Sequence, residues 1–134
     1  MQEKISFFSR LENLVFAERF IEEILVKKSL SEQVLYETQL AVSEAILNAI
    51  IHGNKLNPEK LVILQGKYEE SKIIFTIIDE GKGFDYNNLC DPTSADKINE
   101  PYGRGIFIMK KLASKVTFLE KGRTVCLEFE TKNC

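Results

Sequence analysis

Between Thr38 and Ile51 the chain carries one charge, at Glu44, in a run that is otherwise almost wholly apolar. A helix of this composition has to be buried on most of its surface, and a carboxylate on it is costly unless it is paired, hydrogen-bonded or turned toward a wet cleft. The polar side chains in the run are regularly spaced. In E-A-I-L-N-A-I-I-H-G-N, residues 44–54, Glu44, Asn48 and His52 follow at four-residue steps, which on a helix makes one ridge about 12 Å long. That length suits a triphosphate with its metal.

A second segment, D-E-G-K-G-F at residues 79–84, sets a carboxylate at the end of an apolar strand and follows it with Gly81 and Gly83. Glycines there let the backbone turn sharply and come close to a flat ligand. Asp79 alone reads equally well as a turn residue. With the second glycine, Phe84 as an apolar wall and a polar stretch beyond, it reads as an acceptor for an exocyclic amine such as that of adenine. Farther on, Gly103 and Gly105 flank Arg104 at a helix start, where exposed N–H groups favour an anion. Arg104 reaches either a terminal phosphate, an acidic partner surface or only solvent. Glu44 has the alternatives of a structural ion pair and a base that activates an attacking group. Asn48 offers a neutral oxygen suited to magnesium. His52, the one histidine of the chain, is a secondary site residue. The Thr124 hydroxyl is set to assist Asp79 if their strands are neighbours.

With 134 residues and 44% hydrophobic content, the expectation is one domain spanning residues 1–134 with a real core. Basic and acidic residues number 18 and 20 and are mixed along the chain, so no basic face is available to nucleic acid. Apolar runs such as residues 73–78 fall far short of the roughly eighteen residues that cross a bilayer, and residues 1–10 lack a signal-peptide core; a cytoplasmic protein without membrane contact is expected. Cys90, Cys126 and Cys134 are odd in number and carry no C-x-x-C spacing, which argues against a disulfide framework and a zinc site.

Periodicity predicts a strand at residues 5–8, an amphipathic helix from Leu11 to Leu25, and a helix capped by Ser31 that runs to Gly53. Two β-rich runs, 61–68 and 72–79, form a hairpin, and 116–119 with 124–129 form another around Lys121 and Gly122. Between them, residues 85–102 read as a long binding loop or lid, leading into a helix at 106–113. Helices and strands segregate, so the fold class expected is α+β: a two-layer α/β sandwich, its sheet mixed and mostly antiparallel, with helices on one face.

Glu44, Asn48 and His52, then Asp79-x-Gly81-x-Gly83-Phe84, then Gly103-Arg104-Gly105-Ile106-Phe107 together resemble the N, G1 and G2 boxes of the GHKL ATPase superfamily, in order and over nearly the whole chain. The form of the N box and the run G-R-G-I-F-I-M-K-K-L-A are similar to the anti-sigma factor serine kinases of the RsbW and SpoIIAB type. The resemblance implies a Bergerat ATP-binding fold with ATP and Mg2+. It implies phosphorylation of a serine on a STAS-domain anti-anti-sigma protein, and sequestration of a sigma factor, usually by a homodimer. Carried over by motif, Glu44 is the general base, Asn48 the magnesium ligand and Asp79 the adenine acceptor; Gly81, Gly83, Gly103, Gly105 and Ile106 belong to the nucleotide loops. The alternative is a nucleotide-gated protein-binding switch without significant kinase activity.

Overall fold

A computed structural model describes residues 2–28, 30–86 and 103–131. Its elements are β1 (Gln2–Phe8), α1 (Leu14–Val26), α2 (Glu32–Leu47), β2 (Leu61–Tyr68), β3 (Lys72–Ile78), α3 (Gly103–Leu112), β4 (Lys115–Leu119) and β5 (Thr124–Glu130). The loop expected at 85–102 lies, beyond Tyr86, outside the described residues.

Strict alternation in the strands builds one buried face. Val62 and Leu64 of β2, Ile73, Phe75 and Ile77 of β3, and Val125, Leu127 and Phe129 of β5 are all buried, while most of their neighbours on the other face are half-exposed. The strands run in the order β1-β2-β3-β5-β4. Every described seam is antiparallel, a more uniform sheet than the mixed one expected. The register sets Ile77 against Val125 and Ile78 against Thr124.

The helices cover the buried face. Ile21, Ile24 and Leu25 of α1, Ala41, Val42, Ala45 and Ile46 of α2, and Ile106 and Met109 of α3 join the strand residues in one core. α2 lies in contact with both other helices, and the small side chains of Ala41 and Ala45 permit that close approach. Gly66 makes the seat for α1 on β2: a β-carbon there would collide with Ile24 Cδ1.

The ends of the elements depart from the periodicity. β1 begins at Gln2 because Glu3 and Lys4 pair along the edge of the sheet, opposite Gly66 and Gln65, where a charged side chain has water on one side. α1 starts at Leu14 after a single 3-10 turn at Leu11–Asn13, and Leu11, Val15 and Phe16 stay about half exposed. α2 begins as expected, with the Val34 N–H donating to Ser31 Oγ at 3.2 Å. Together with its continuation the α2 helix is 22 residues long and apolar enough to cross a membrane by length and composition, but its apolar side is packed into the core formed with the sheet and with α1 and α3.

Candidate active site

α2 does not end as an α-helix. From Asn48 to Gly53 it widens into a π-turn, with the Asn54 N–H donating to the carbonyl of Ala49 at 2.8 Å. On a straight α-helix, residues four apart drift by about 40° per step, which would carry His52 well round the helix from Glu44. In the wider turn, about 4.4 residues per turn, a four-residue step falls short of a full revolution by roughly 30°. The two deviations are opposite in sign. Burial lowers the His52 pKa from its ordinary value of 6.5, and the ring is neutral at pH 7.

The N-terminal turn of α3 closes on this ridge. A β-carbon on Gly105 would stand 2.9 Å from Asn48 Nδ2 and 3.2 Å from Glu44 Oε2, so a side chain there would displace the ends of Asn48 and Glu44. Glu44 and Asn48 are half-buried, and Glu44 makes no ion pair among the described residues. The structural pairing that sequence alone allowed for it is not seen among them.

At the other end stands Asp79, just past β3. Its N–H donates to the Arg123 carbonyl at 2.9 Å, and its Oδ1 accepts from the Gly81 N–H at 2.7 Å. A β-carbon on Gly53 would collide with the Asp79 carboxylate, and one on Gly81 with the Gly53 carbonyl; the end of the π-turn and the carboxylate loop are in direct backbone contact. Burial raises the Asp79 pKa from its ordinary 3.8, opposed by the Gly81 N–H and by the charges of Arg123 and Lys60. Gly83 has φ 85°, in the left-handed region that favours glycine, and the next residue, Phe84, donates its N–H to the Lys121 carbonyl at 3.0 Å.

Between the two ends is a small, partly open cleft. Ala45, Ala49, Ile77, Ile106, Met109 and Val125 give it apolar walls, Phe84 and Phe118 an aromatic rim, and Asn48, Asp79 and Arg123 its polar groups. The Phe84 and Phe118 rings meet edge to face at 5.6 Å, and Tyr86 stacks on Phe118 at 5.0 Å. The slot is flat and apolar with a carboxylate at one end.

Asn48, Asp79, Phe84 and Ile106 thus line the cleft. Glu44, Gly81 and Gly105 stand in contact with its ends. Gly103 is buried at the start of α3, while Arg104 is exposed. His52 is half-exposed on the π-turn and does not line the cleft. The strands of Asp79 and Thr124 are neighbours, as the reading of Thr124 required: Thr124 pairs with Ile78, on the strand face opposite Val125, and is buried without lining the cleft. Its predecessor Arg123 does line it.

Sequence reasoning also passed over Asn54, which looked like part of a helix stop. Asn54 is 1% exposed. Its amide donates to Ser9 Oγ at 2.8 Å and to the Leu61 carbonyl at 2.9 Å, and its Oδ1 accepts from the Glu80 N–H at 2.7 Å. One side chain therefore ties the ends of β1 and β3 to the start of β2, and holds the residue next to Asp79. The only available signal was an asparagine after a glycine in an apolar setting, which ordinary helix stops also give.

Residues 7–129 match the family model for the histidine kinase-like ATPase domain. The chain is 32% identical to an anti-sigma F factor of Bacillus cytotoxicus over 117 residues, covering 86% of this chain and 80% of that protein. It is 31% identical to an anti-sigma F factor of Geobacillus stearothermophilus over 129 residues, covering 92% of this chain and 88% of that one. The chain belongs to the histidine kinase-like ATPase family, in the group of the anti-sigma factors. A crystal structure of the RsbU and RsbW domains of a Mycobacterium tuberculosis protein has the same fold, with a TM-score of 0.64 at 12% identity; the match covers 98% of this chain and 32% of that one.

For a histidine kinase-like ATPase the cleft has the right parts to take ATP. Glycines at 53, 81 and 105 let the elements around it close on one another, and its apolar walls suit a planar base. Among the described residues no group of three or more His, Cys, Asp or Glu side chains could hold a metal by itself. The Asn48 side-chain oxygen, beside Gly105, is the kind of neutral donor that fits a magnesium ion whose remaining ligands are phosphate and water.

Proposed function

We propose that the protein is an ATP-dependent anti-sigma factor and serine protein kinase, which phosphorylates a STAS-domain anti-anti-sigma partner and so regulates the availability of a sigma factor. The observation that carries this reading is the approach of Gly105 to Asn48 and Glu44. It joins a carboxylate, a neutral amide oxygen and a helix N-terminus at the end of the cleft opposite Asp79. The names of the anti-sigma F relatives support the regulatory half of the reading.

In the mechanism, Asp79 accepts the exocyclic amine of adenine through the carboxylate oxygen not bound to Gly81. Ile77, Val125 and Met109 cover the base. The N–H groups at the start of α3 meet the phosphate tail, favoured by the helix dipole. Glu44 accepts the proton of the serine hydroxyl as it attacks, and the half-burial of that carboxylate keeps bulk water from competing. Magnesium, when bound, would neutralise phosphate charge, and Asn48 would hold it. Phosphoryl transfer asks mainly for this positioning and neutralisation.

A cytoplasmic homodimer fits the surface: Phe8, Leu11, Val15 and Phe16 are each about half exposed next to β1, which is an edge strand. The test of function is incubation with γ-labelled ATP and magnesium in a host extract, wild type beside Glu44→Gln. Label on a serine of a small STAS-domain protein, with wild type only, supports the kinase. Nucleotide-dependent retention of a partner, with no label transferred, overturns it in favour of the switch.

A further inference from the structure

Asn54 does not line the cleft and has no part in the mechanism above, yet its buried side chain meets a demand that few residue types could satisfy. Oδ1 accepts from the Glu80 N–H at 2.7 Å, while the two protons of Nδ2 go to Ser9 Oγ at 2.8 Å and to the Leu61 carbonyl at 2.9 Å. Turning the amide over would set its oxygen against the Leu61 carbonyl and its nitrogen against the Glu80 N–H, so its orientation is fixed. Glu80 comes back to the same place, its carboxylate accepting from the Leu61 N–H at 2.5 Å. Asn54, Glu80 and Leu61 thus close a ring of hydrogen bonds behind the carboxylate loop.

The Glu80 N–H is part of the planar peptide that includes the Asp79 α-carbon. The peptide on the other side of that carbon is held by strand backbone, through the Asp79 N–H and the Arg123 carbonyl at 2.9 Å. With both peptides held, the α-carbon is fixed, and the carboxylate is then oriented by the bond from the Gly81 N–H to Oδ1 at 2.7 Å. Gly53, the residue before Asn54, lies against the same carboxylate. Among the hydrogen bonds that fix Asp79 in the described residues, the one to Asn54 alone comes from a side chain outside the loop.

We propose that Asn54 is a positioning residue for base recognition: by fixing the peptide between Asp79 and Glu80, it aims the carboxylate oxygen not bound to Gly81 at an exocyclic amine, and so sets the preference of the cleft for a purine bearing that amine over one bearing a carbonyl. The inference rests on the nucleotide reading of the cleft. A hydrogen bond to a charged acceptor is worth about ten- to a hundredfold in affinity, and moving the acceptor by about 1 Å takes it out of bonding range. A base with a carbonyl at that position makes no such bond and gains nothing from the aim.

The test is calorimetric titration of the full chain with ADP and with inosine diphosphate, without magnesium, at about pH 7.5. Wild type should prefer ADP by at least about tenfold. Asn54→Ala should lose about tenfold of that preference through weaker ADP binding, with inosine diphosphate held within about threefold of wild type. If Asn54→Ala does not fold, Asn54→Ser, one bond too short to reach the Glu80 N–H, is read in its place. Asn54→Asp keeps an oxygen for that N–H while giving up the amide protons, and should keep the preference despite a lower melting temperature. Ser9→Ala should do the same, because the Ser9 hydroxyl bonds Asn54 and the Lys60 carbonyl and not the loop. If Asn54→Ala keeps the wild-type ratio, or weakens both nucleotides alike, the inference is overturned, since the residue then serves stability alone. Loss of the ratio in Ser9→Ala or Asn54→Asp to the same degree overturns it too, because any loosening of that corner would then suffice. Binding of neither nucleotide by wild type would overturn the nucleotide reading itself, and equal binding of both by wild type would overturn the role of Asp79; each is distinct from a failure confined to Asn54.

Discussion

At the scale of single residues, the proposed function gives the carboxylates Glu44 and Asp79 opposite duties. Glu44→Gln keeps the shape of the α2 ridge, so ATP affinity should stay within about threefold, while phosphotransfer falls by roughly a hundredfold or more; quench-flow with a purified acceptor separates the two, and unchanged transfer would end the general-base assignment. Asp79→Asn should weaken ADP about ten- to a hundredfold by titration. The same substitution has a second, opposite effect on the free protein. Because the folded pKa of Asp79 is raised above 3.8, the folded state holds its proton longer than the unfolded chain, so stability is lost as pH rises through that window and stays lost above it. The variant should therefore melt higher than wild type at pH 7 in the absence of nucleotide, and show no such advantage below about pH 3.8. A variant that melts lower at pH 7 would show that burial is not the dominant influence on Asp79. These residues were readable because a charge in an apolar run, or a carboxylate before paired glycines, stands out in one dimension. Thr124 and Arg123 were not: the two are adjacent, a strand alternates sides at each residue, and only the pairing of Ile78 with Thr124 decides which one shares a face with Asp79.

Among the elements, α2 and the strands β2, β3 and β5 were legible, since each repeats its pattern over several residues and the burial follows that pattern. β1 was half-legible, because edge pairing tolerates the polar Gln2, Glu3 and Lys4 and leaves no period to read. The π-turn was not legible at all; a four-residue polar spacing is compatible with either helix, and the choice is made by the backbone contact of Gly53 with the Asp79 loop. Asn54 is where the elements are joined. Asn54→Ala removes both donors and the acceptor of that amide, leaving the buried Ser9 hydroxyl and the part-buried Leu61 carbonyl and Glu80 N–H without it, and should cost about 2 to 4 kcal/mol of stability by denaturant unfolding. It should also loosen the Asp79 loop, seen as faster amide exchange at Glu80 and Gly81. A loss under about 1 kcal/mol would mean that water replaces the amide without strain.

For the whole molecule, the cleft draws on α2, β3, α3 and β5 at once, so a ligand that fills it stabilises the global fold. ATP at about a hundred times its Kd should add roughly 3 kcal/mol, read as a rise in melting temperature that Asp79→Asn largely abolishes. The apolar residues near the edge of β1 make a separate claim: Phe16→Glu should convert a dimer to a monomer in sedimentation while leaving the melting of the monomer nearly unchanged, and a wild type already monomeric at high concentration would remove the homodimer from the reading. The strand order has a consequence for biosynthesis. β5 leaves the ribosome after both β3 and β4, yet it lies between them in the sheet. A nascent chain stalled before Thr124 has β3 with a bare seam and β4 with nothing to pair to. Quality control should therefore meet two populations, finished molecules and unpaired ones open to proteolysis, with few partly competent chains between them.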